Sequence, residues 1–289
     1  MTEDEYAGAL AWVADVLGAP ARVNRRLEGG MTSTMLEIVT EPGDLAVLRL
    51  MTEEPWRTHG AELAGRESEA QHALADTVVP APSSLALDVS RPVAAHLMTR
   101  LPGDRRADLD QAAIEAMVEM LMTIHEVVPA DPFRDFQSWA WEAKWVVPTW
   151  STHPGSWRRA FDLLAAGRPD FEPTFLHRDF SHRNLLWSGD RISGVVDWVE
   201  TSTGPAWLDA GHAATNLAVA YGPELARAFV RAYADRSGTE PETFWLVMDA
   251  VGFLPPPGKR PMFDSPGKLA RLDAWLHELV LPHSSDSAP

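Results

Sequence analysis

The chain has 289 residues, of which 45% are hydrophobic and none is cysteine, and its formal net charge is −16 at pH 7. This length can bury a sizeable core in one large domain or in two lobes, and the lack of cysteine excludes disulfide and thiolate chemistry. The negative charge argues against a nucleic-acid partner, which would bind a basic surface. It would favour encounter with a cationic small molecule, although many proteins are acidic merely for solubility.

Nothing in the sequence indicates a membrane partner. The chain starts with an acidic segment, where a secretory signal would need a basic region before an apolar run. No apolar stretch approaches the length that crosses a bilayer. We therefore expect a cytoplasmic protein, and the sequence leaves its oligomeric state open.

The first third of the chain is predicted to hold one helix and a small antiparallel sheet. Thr2 and Glu5 have the spacing of a capping box, and the helix that follows ends at Gly18. Short runs with strand composition, bounded by turn residues, come next. These first three predicted strands cover residues 21–27, 34–40 and 45–50.

A glycine-rich turn separates the first two of these strands. Gly29 and Gly30 would let backbone N–H groups approach a phosphate, and the hydroxyls of Thr32 and Ser33 could add donors. Taken alone the pattern is weak, because a Gly-Gly turn is also ordinary hairpin punctuation.

Two charged side chains are predicted to point inward from neighbouring elements. Alternation along the third strand places Arg49 on the same face as Val47, where a cation needs an anion unless it lies at an edge in solvent. On the next helix, predicted over residues 61–75, Glu67 falls on the apolar stripe. A carboxylate facing inward should have a partner. That partner is either the strand cation or an arginine on the same helix.

The second half of the chain is predicted to be mainly helical. Asp108 is placed as the cap of a long helix whose apolar stripe runs to Val128, and His125 beside that stripe is interpreted as a core residue. Five of the twelve tryptophans lie within residues 133–157. They either pack in the core or form the wall of an acceptor pocket, because aromatic faces suit sugar rings and cations.

Three polar residues between Phe175 and Trp198 carry the chemical signal. They form the pattern H-x-D-x-x-x-x-N followed by a further D, with Asp179, Asn184 and Asp197 at the last three positions. In phosphoryl transfer one carboxylate orients the attacking hydroxyl, while an amide and a second carboxylate hold Mg²⁺. The segment between Asn184 and Asp197 reads as a hairpin, which would bring these two residues side by side.

This stretch resembles the aminoglycoside phosphotransferase family of antibiotic kinases, with choline-kinase-like enzymes as more distant relatives. The resemblance implies an α+β, bilobal, protein-kinase-like fold. A small N-terminal lobe with an antiparallel sheet would cover residues 1–99, and a larger, mainly helical C-terminal lobe would cover residues 100–289. The hinge would lie near residues 98–103.

The same resemblance implies a role for each matching residue. Asp179 would be the catalytic residue, Asn184 and Asp197 would hold Mg²⁺, and Asp209 would bind the backbone of the catalytic loop. ATP or GTP would be the phosphoryl donor. Its expected binding residues are Gly29, Gly30, Thr32, Ser33, Arg49, Glu67 as the brace of Arg49, and the hinge backbone at Thr99 and Leu101.

Two residues depart from the family pattern. Arg49 stands where the family usually has lysine, and Arg178 stands where it more often has glycine. A guanidinium can still clamp phosphate oxygens as a bidentate donor, although its geometry differs from that of an ammonium group. The departure at Arg49 therefore keeps open a pseudokinase that binds nucleotide without turnover.

The leading hypothesis is a Mg²⁺-dependent transfer of the γ-phosphoryl group to a hydroxyl of a small molecule, with an aminoglycoside or related antibiotic as the favoured acceptor. A primary metabolite such as choline or a sugar is the alternative acceptor. A different hypothesis takes His177, Asp179 and His212 as a facial triad for non-haem iron. It leaves Asn184 and Asp197 unexplained and would need a β-rich barrel.

Overall fold

The computed structural model describes residues 2–28, 33–41, 43–263 and 265–281. The predicted glycine-turn residues Gly29, Gly30 and Thr32 lie outside the described residues, as does the tail from Pro282 onward. The chain divides into two compact units. The first unit comprises Met1–Arg106 and Arg183–Thr201, and the second comprises Ala107–His182 and Ser202–Pro289.

Helices and strands within the described residues are as follows. The α-helices are α1 (Glu3–Leu17), α2 (Gly60–Leu74), α3 (Gln111–His125), α4 (Pro154–Ala165), α5 (Ala206–Tyr221), α6 (Pro223–Ser237), α7 (Thr243–Gly252) and α8 (Pro266–Leu279). The strands are β1 (Ala21–Leu27), β2 (Thr34–Thr40), β3 (Leu45–Leu50), β4 (Ser84–Asp88), β5 (Ala95–Thr99), β6 (Thr174–Leu176), β7 (Leu185–Ser188), β8 (Arg191–Val195) and β9 (Ser202–Gly204).

A five-stranded antiparallel sheet in the order β1-β2-β3-β5-β4 forms the centre of the first unit. One face of this sheet packs against α1, and the shared core includes Val13, Ile38 and Leu48, all fully buried. The capping box at the start of α1 is present, with the Glu5 amide donating to Thr2 Oγ1 at 3.2 Å. Because side chains alternate along β3, Arg49 lies on the opposite face from Leu48.

The hairpin of β7 and β8 belongs to the first unit, although the sequence-based division assigned residues 100–289 to the C-terminal lobe. The chain as far as Arg106 also belongs there. The physical reason is a pair of backbone hydrogen bonds between Asp104 and Trp187, of 3.0 and 2.8 Å. The amide of Val195 further donates to the oxygen of Pro80 at 2.8 Å. Local sequence patterns could not predict these backbone hydrogen bonds, because the bonds join residues that are far apart in the chain.

Helix α5 lies at the centre of the second unit and is buried along most of its length. Helices α3, α6, α7 and α8 contact it, and the short strands β6 and β9 pair beside it. No helix among the described residues is long and apolar enough to cross a membrane.

The predicted start and end of α3 were wrong. The helix begins at Gln111, and its cap is Asp110 rather than Asp108, because Asp110 Oδ1 accepts a hydrogen bond from the Ala113 amide at 2.9 Å. At the other end the helix stops at His125, and Val128 lies beyond it, largely exposed. Two aspartates two residues apart look alike in sequence, and only the one whose oxygen reaches a free helix N–H acts as the cap.

We expect Asp110→Ala to lower the free energy of unfolding of the second unit by about 1 kcal/mol, because an N-terminal N–H group of α3 loses its acceptor. Asp110→Asn is the matched control, since asparagine keeps a capping oxygen. Urea unfolding followed by tryptophan fluorescence measures both. Equal losses in the two variants would contradict the capping role.

Candidate active site

In the first unit, a buried guanidinium joins two carboxylates from different elements. Arg49 extends from β3 and is 4% exposed. Its Nη1 atom lies 3.1 Å from Glu67 Oε1 on α2, and its Nη2 atom lies 2.8 Å from Asp197 Oδ1 just after β8. A buried cation is tolerated when carboxylates of this kind surround it. Arg49 therefore ties strand, helix and hairpin together.

Glu67 is the deeper of the two carboxylates, at 1% exposed. Its second oxygen lies 3.1 Å from His96 Nδ1. Burial raises the pKa of Glu67, but Arg49 and His96 outweigh burial and the pKa lies below its ordinary value. The competing interpretation, a pair with an arginine on the same helix, does not hold for Glu67, because Arg66 instead contacts Glu62 and donates to the Val199 oxygen.

Asn184 and Asp197 flank the β7–β8 hairpin, as predicted. The backbone amide of Val196 donates to the backbone oxygen of Asn184 at 2.9 Å, so the segments at the two ends of the hairpin run side by side. Asp197 has a positive φ of 71°, in the left-handed region that costs a non-glycine residue about 1–2 kcal/mol. In this conformation the Asp197 carboxylate accepts a hydrogen bond from Arg49.

A cavity of about 380 Å³ lies within the first unit. Apolar side chains, including Val47, Met98 and Leu186, line one part of it. The predicted site residues that line the cavity are Arg49, Glu67, Thr99, Leu101, Asn184 and Asp197. Ser33 is buried and is not among the lining residues, and its hydroxyl makes no hydrogen bond within the described part of the chain.

Carboxylate and amide oxygens are the donor types that Mg²⁺ prefers in proteins. Asn184 and Asp197 offer these donors, line one cavity, and lie on adjacent backbone segments. The residues present therefore fit a magnesium ion.

A second acidic centre beside this cavity escaped the sequence analysis. Glu37 on β2 is buried and receives hydrogen bonds from Arg25, Asn24 and Arg100. The bond from Arg25 is the largest of the influences that lower the pKa of Glu37 to about 2. Arg25 and Arg100 also line the cavity, so Glu37 fixes two cations at its wall. No local pattern marks Glu37, because its partners come from β1 and from the segment just after β5.

In the second unit, Asp209 anchors the backbone that carries Asp179. Asp209 is fully buried on α5, and its two oxygens accept from the amides of His177 and Arg178 at 2.8 and 2.7 Å. Burial raises the pKa of Asp209, but a hydrogen bond from His125 helps to hold it below its ordinary value. The predicted contact of Asp209 with the loop backbone is present, and His125 is a satisfied residue that contacts Tyr233 and Asp209, as interpreted.

The backbone at Arg178 adopts a conformation that suits glycine, the residue expected here from the family resemblance. Its φ is 70°, a conformation that favours glycine. The guanidinium compensates through contacts, since it lies 3.7 Å from the centre of the Trp139 ring and 3.6 Å from Asp249 Oδ1. The side-chain contacts of Arg178 thus stabilise its left-handed backbone conformation.

The Asp179 side chain is 27% exposed and contacts His212. The sequence had suggested His212 only as a ligand in the hypothetical iron site. His212 Nε2 lies 2.8 Å from Asp179 Oδ1, and His212 Nδ1 lies 2.9 Å from Asp249 Oδ1 on α7. One signal could have found this contact. Asp209 and His212 are three residues apart on α5, so a helix that anchors the loop through Asp209 presents His212 on the same side.

These contacts argue against the facial triad for iron. Burial lowers the pKa of His212, but the carboxylates of Asp249 and Asp179 outweigh it and raise the pKa to about 9. A doubly protonated ring has no lone pair to give a metal ion. The Nδ1 atom of His177 accepts from the Asp179 amide at 3.2 Å. The three side chains are therefore engaged with protein groups in the described structure.

A sequence profile of the phosphotransferase enzyme family matches residues 23–245. No curated protein sequence matched significantly.

Solved structures match over nearly the whole chain. Aminoglycoside phosphotransferase APH(4)-Ia aligns with a TM-score of 0.65 and 17% identity, covering 94% of this chain and 96% of that one. Amicoumacin kinase hAmiN aligns with a TM-score of 0.60 and 13% identity, covering 96% of each chain. Macrolide 2'-phosphotransferase MphH from Brachybacterium faecium aligns with a TM-score of 0.59 and 18% identity, covering 85% and 90%. The predicted α+β, protein-kinase-like fold is confirmed.

We expect Glu67→Ala to destabilise the first unit by roughly 3–5 kcal/mol, because it removes a buried carboxylate that contacts Arg49. Glu69→Ala on the exposed side of the same helix is the control and should change stability by less than about 0.5 kcal/mol. Chemical unfolding measures both. A loss for Glu67→Ala no larger than that of the control would refute the role of this ion pair.

Proposed function

Because the chain belongs to the phosphotransferase enzyme family, we propose that it transfers the γ-phosphoryl group of ATP or GTP to a hydroxyl of a small molecule in the presence of Mg²⁺. The observation that carries this proposal is the cavity of the first unit, where Arg49, Asn184 and Asp197 come together. A cationic group for phosphates and a pair of oxygen donors for magnesium are the parts that phosphoryl transfer needs.

Donor binding is assigned to the first unit. The apolar lining at Val47, Met98 and Leu186 suits the faces of a purine, and the backbone at Thr99 and Leu101 would contact its edge. Structural relatives support a nucleotide donor, since APH(4)-Ia has been solved with ADP and hygromycin B and hAmiN with AMP-PNP. Arg49, held by Glu67, would contact the inner phosphates.

Asn184 and Asp197 would hold the magnesium ion. When bound, the ion neutralises charge on the donor phosphates. The contact of Asp197 with Arg49 would orient the carboxylate for this role.

Asp179 would orient the acceptor hydroxyl and take its proton. The acceptor oxygen forms a bond to the γ-phosphorus, the bond from that phosphorus to the β–γ bridging oxygen breaks, and the nucleoside diphosphate leaves. The hydroxyl proton passes to the Asp179 carboxylate. Because the transition state is loose, correct positioning contributes more than the basicity of the carboxylate.

The acceptor is proposed to be an aminoglycoside or a related antibiotic. The three structural relatives carry names of an aminoglycoside, a macrolide and an amicoumacin enzyme, so one fold serves several acceptor chemistries. The formal net charge of −16 supports a cationic member of this range. The use of a nucleoside triphosphate supports a cytoplasmic location.

The test is turnover by purified protein with Mg²⁺ and ATP or GTP against aminoglycosides, macrolides, peptide antibiotics, choline and sugars. We expect product with an antibiotic acceptor, and Asp179→Asn should lower kcat at least about a hundredfold while nucleotide still binds. Asp190→Asn, at an exposed residue of the β7–β8 turn, is the matched control.

Each remaining outcome discriminates between hypotheses. Nucleotide binding without product on any acceptor would favour the pseudokinase. Turnover restricted to choline or sugars would favour a metabolic kinase. Failure of the wild-type protein to bind a nucleotide would contradict the proposal.

A further inference from the structure

His212 is a buried histidine placed between two carboxylates. It lies on α5, is 3% exposed, and approaches Asp179 and Asp249 with different ring nitrogens, at 2.8 and 2.9 Å. The rings of Trp139 and Phe253 lie 5.2 and 5.7 Å from it. Asp249 is buried with the imidazole, whereas the Asp179 side chain is 27% exposed and keeps access to the acceptor side.

This geometry favours a charged ring. Both nitrogens of a histidine donate hydrogen bonds only in the imidazolium form, and each of these nitrogens faces a carboxylate oxygen. The amide nitrogen of Asn216 also lies 3.0 Å from His212 Nε2, but it has another acceptor, the backbone oxygen of His212 at 3.0 Å. The raised pKa of His212, about 9, agrees with the charged form at neutral pH.

We propose that His212 is a positioning residue whose positive charge keeps the Asp179 carboxylate ionised and fixed in one orientation toward the acceptor hydroxyl. This role rests on the proposed function, because Asp179 has to be oriented only if it takes the acceptor proton. His212 already carries two ring protons, so the proton released by the acceptor stays on Asp179. The histidine acts through Asp179 and does not itself react.

Other charged groups face this cluster. The catalytic loop contributes Asp179 and Arg178, whose Nη1 atom lies 3.6 Å from Asp249 Oδ1. Helix α7 contributes Asp249 itself. Lys144 donates to the Gly252 oxygen and interacts electrostatically with Asp249, and burial lowers its pKa to about 8. Arg178 and His212 thus share Asp249, while His212 also reaches the reactive carboxylate.

The sign of the pH dependence follows from these contacts. Below about pH 9 the ring is charged and both carboxylates keep a hydrogen-bond donor. As pH rises through this value the ring loses one proton, and one of the two carboxylates loses its donor. Activity should therefore decline on the alkaline side because Asp179 is released from its fixed orientation.

The test compares His212→Gln with His59→Gln, an exposed histidine before α2. Glutamine keeps an N–H donor but carries no charge. We expect kcat of His212→Gln to fall about ten- to a hundredfold with unchanged nucleotide affinity. The acidic limb of the kcat profile should move up by about one to three pH units, and the alkaline decline should disappear. His59→Gln should keep the wild-type profile.

A second measurement does not depend on any variant at His212. Nitrogen NMR of the wild-type imidazole should show both ring nitrogens protonated near neutral pH and a titration midpoint near 9. This assignment separates His212 from Lys144, which titrates nearby. In Asp179→Asn the midpoint should fall, because one of the two carboxylates is removed.

The outcomes separate this proposal from the proposed function. If wild-type protein turns over an acceptor and Asp179→Asn abolishes it, the phosphotransferase assignment stands. A wild-type pH profile in His212→Gln, or a neutral imidazole near pH 7 in wild type, then overturns the role of His212 alone. Absence of turnover by wild type on every acceptor overturns both.

Discussion

The buried ion pairs of Arg49 hold the cavity-facing side of the first unit together. One guanidinium contacts Glu67 at 3.1 Å and Asp197 at 2.8 Å, so β3, α2 and the segment after β8 share a single charged contact. Removing a guanidinium from water is costly unless carboxylates surround it. The same contact fixes the side chain that would meet phosphates and the carboxylate that would meet magnesium.

The departure from lysine at this position gains a structural explanation. A guanidinium is planar and presents several N–H groups, so Arg49 reaches both carboxylates with separate nitrogens. An ammonium group is a single point of charge on a flexible stem. Arginine at this site therefore favours a fixed arrangement of Glu67 and Asp197 over a mobile cation.

In the second unit, buried polar side chains likewise fix the position of Asp179. Asp209 accepts two hydrogen bonds from the backbone just before Asp179, and His212 on the same helix contacts the Asp179 side chain. Arg178 accepts an unfavourable φ of 70° and is stabilised by Trp139. Backbone strain of this kind persists only where the surrounding contacts over-determine it. The loop backbone and the Asp179 side chain are thus held by separate interactions.

The sequence by itself determined the first three strands and the motif, because these depend on neighbours along the chain. The bounds of β1, β2 and β3 follow from strand composition and turn residues, and the spacing of Asp179, Asn184 and Asp197 predicted phosphoryl transfer. Tertiary structure alone decided which residues become partners. The pairs of His212 with Asp249 and of Glu37 with Arg100 join residues 37 and 63 positions apart. The backbone bonds that place the hairpin in the first unit join residues even further apart in the chain. Such contacts are set by packing of distant elements, for which a single sequence carries no periodic signal.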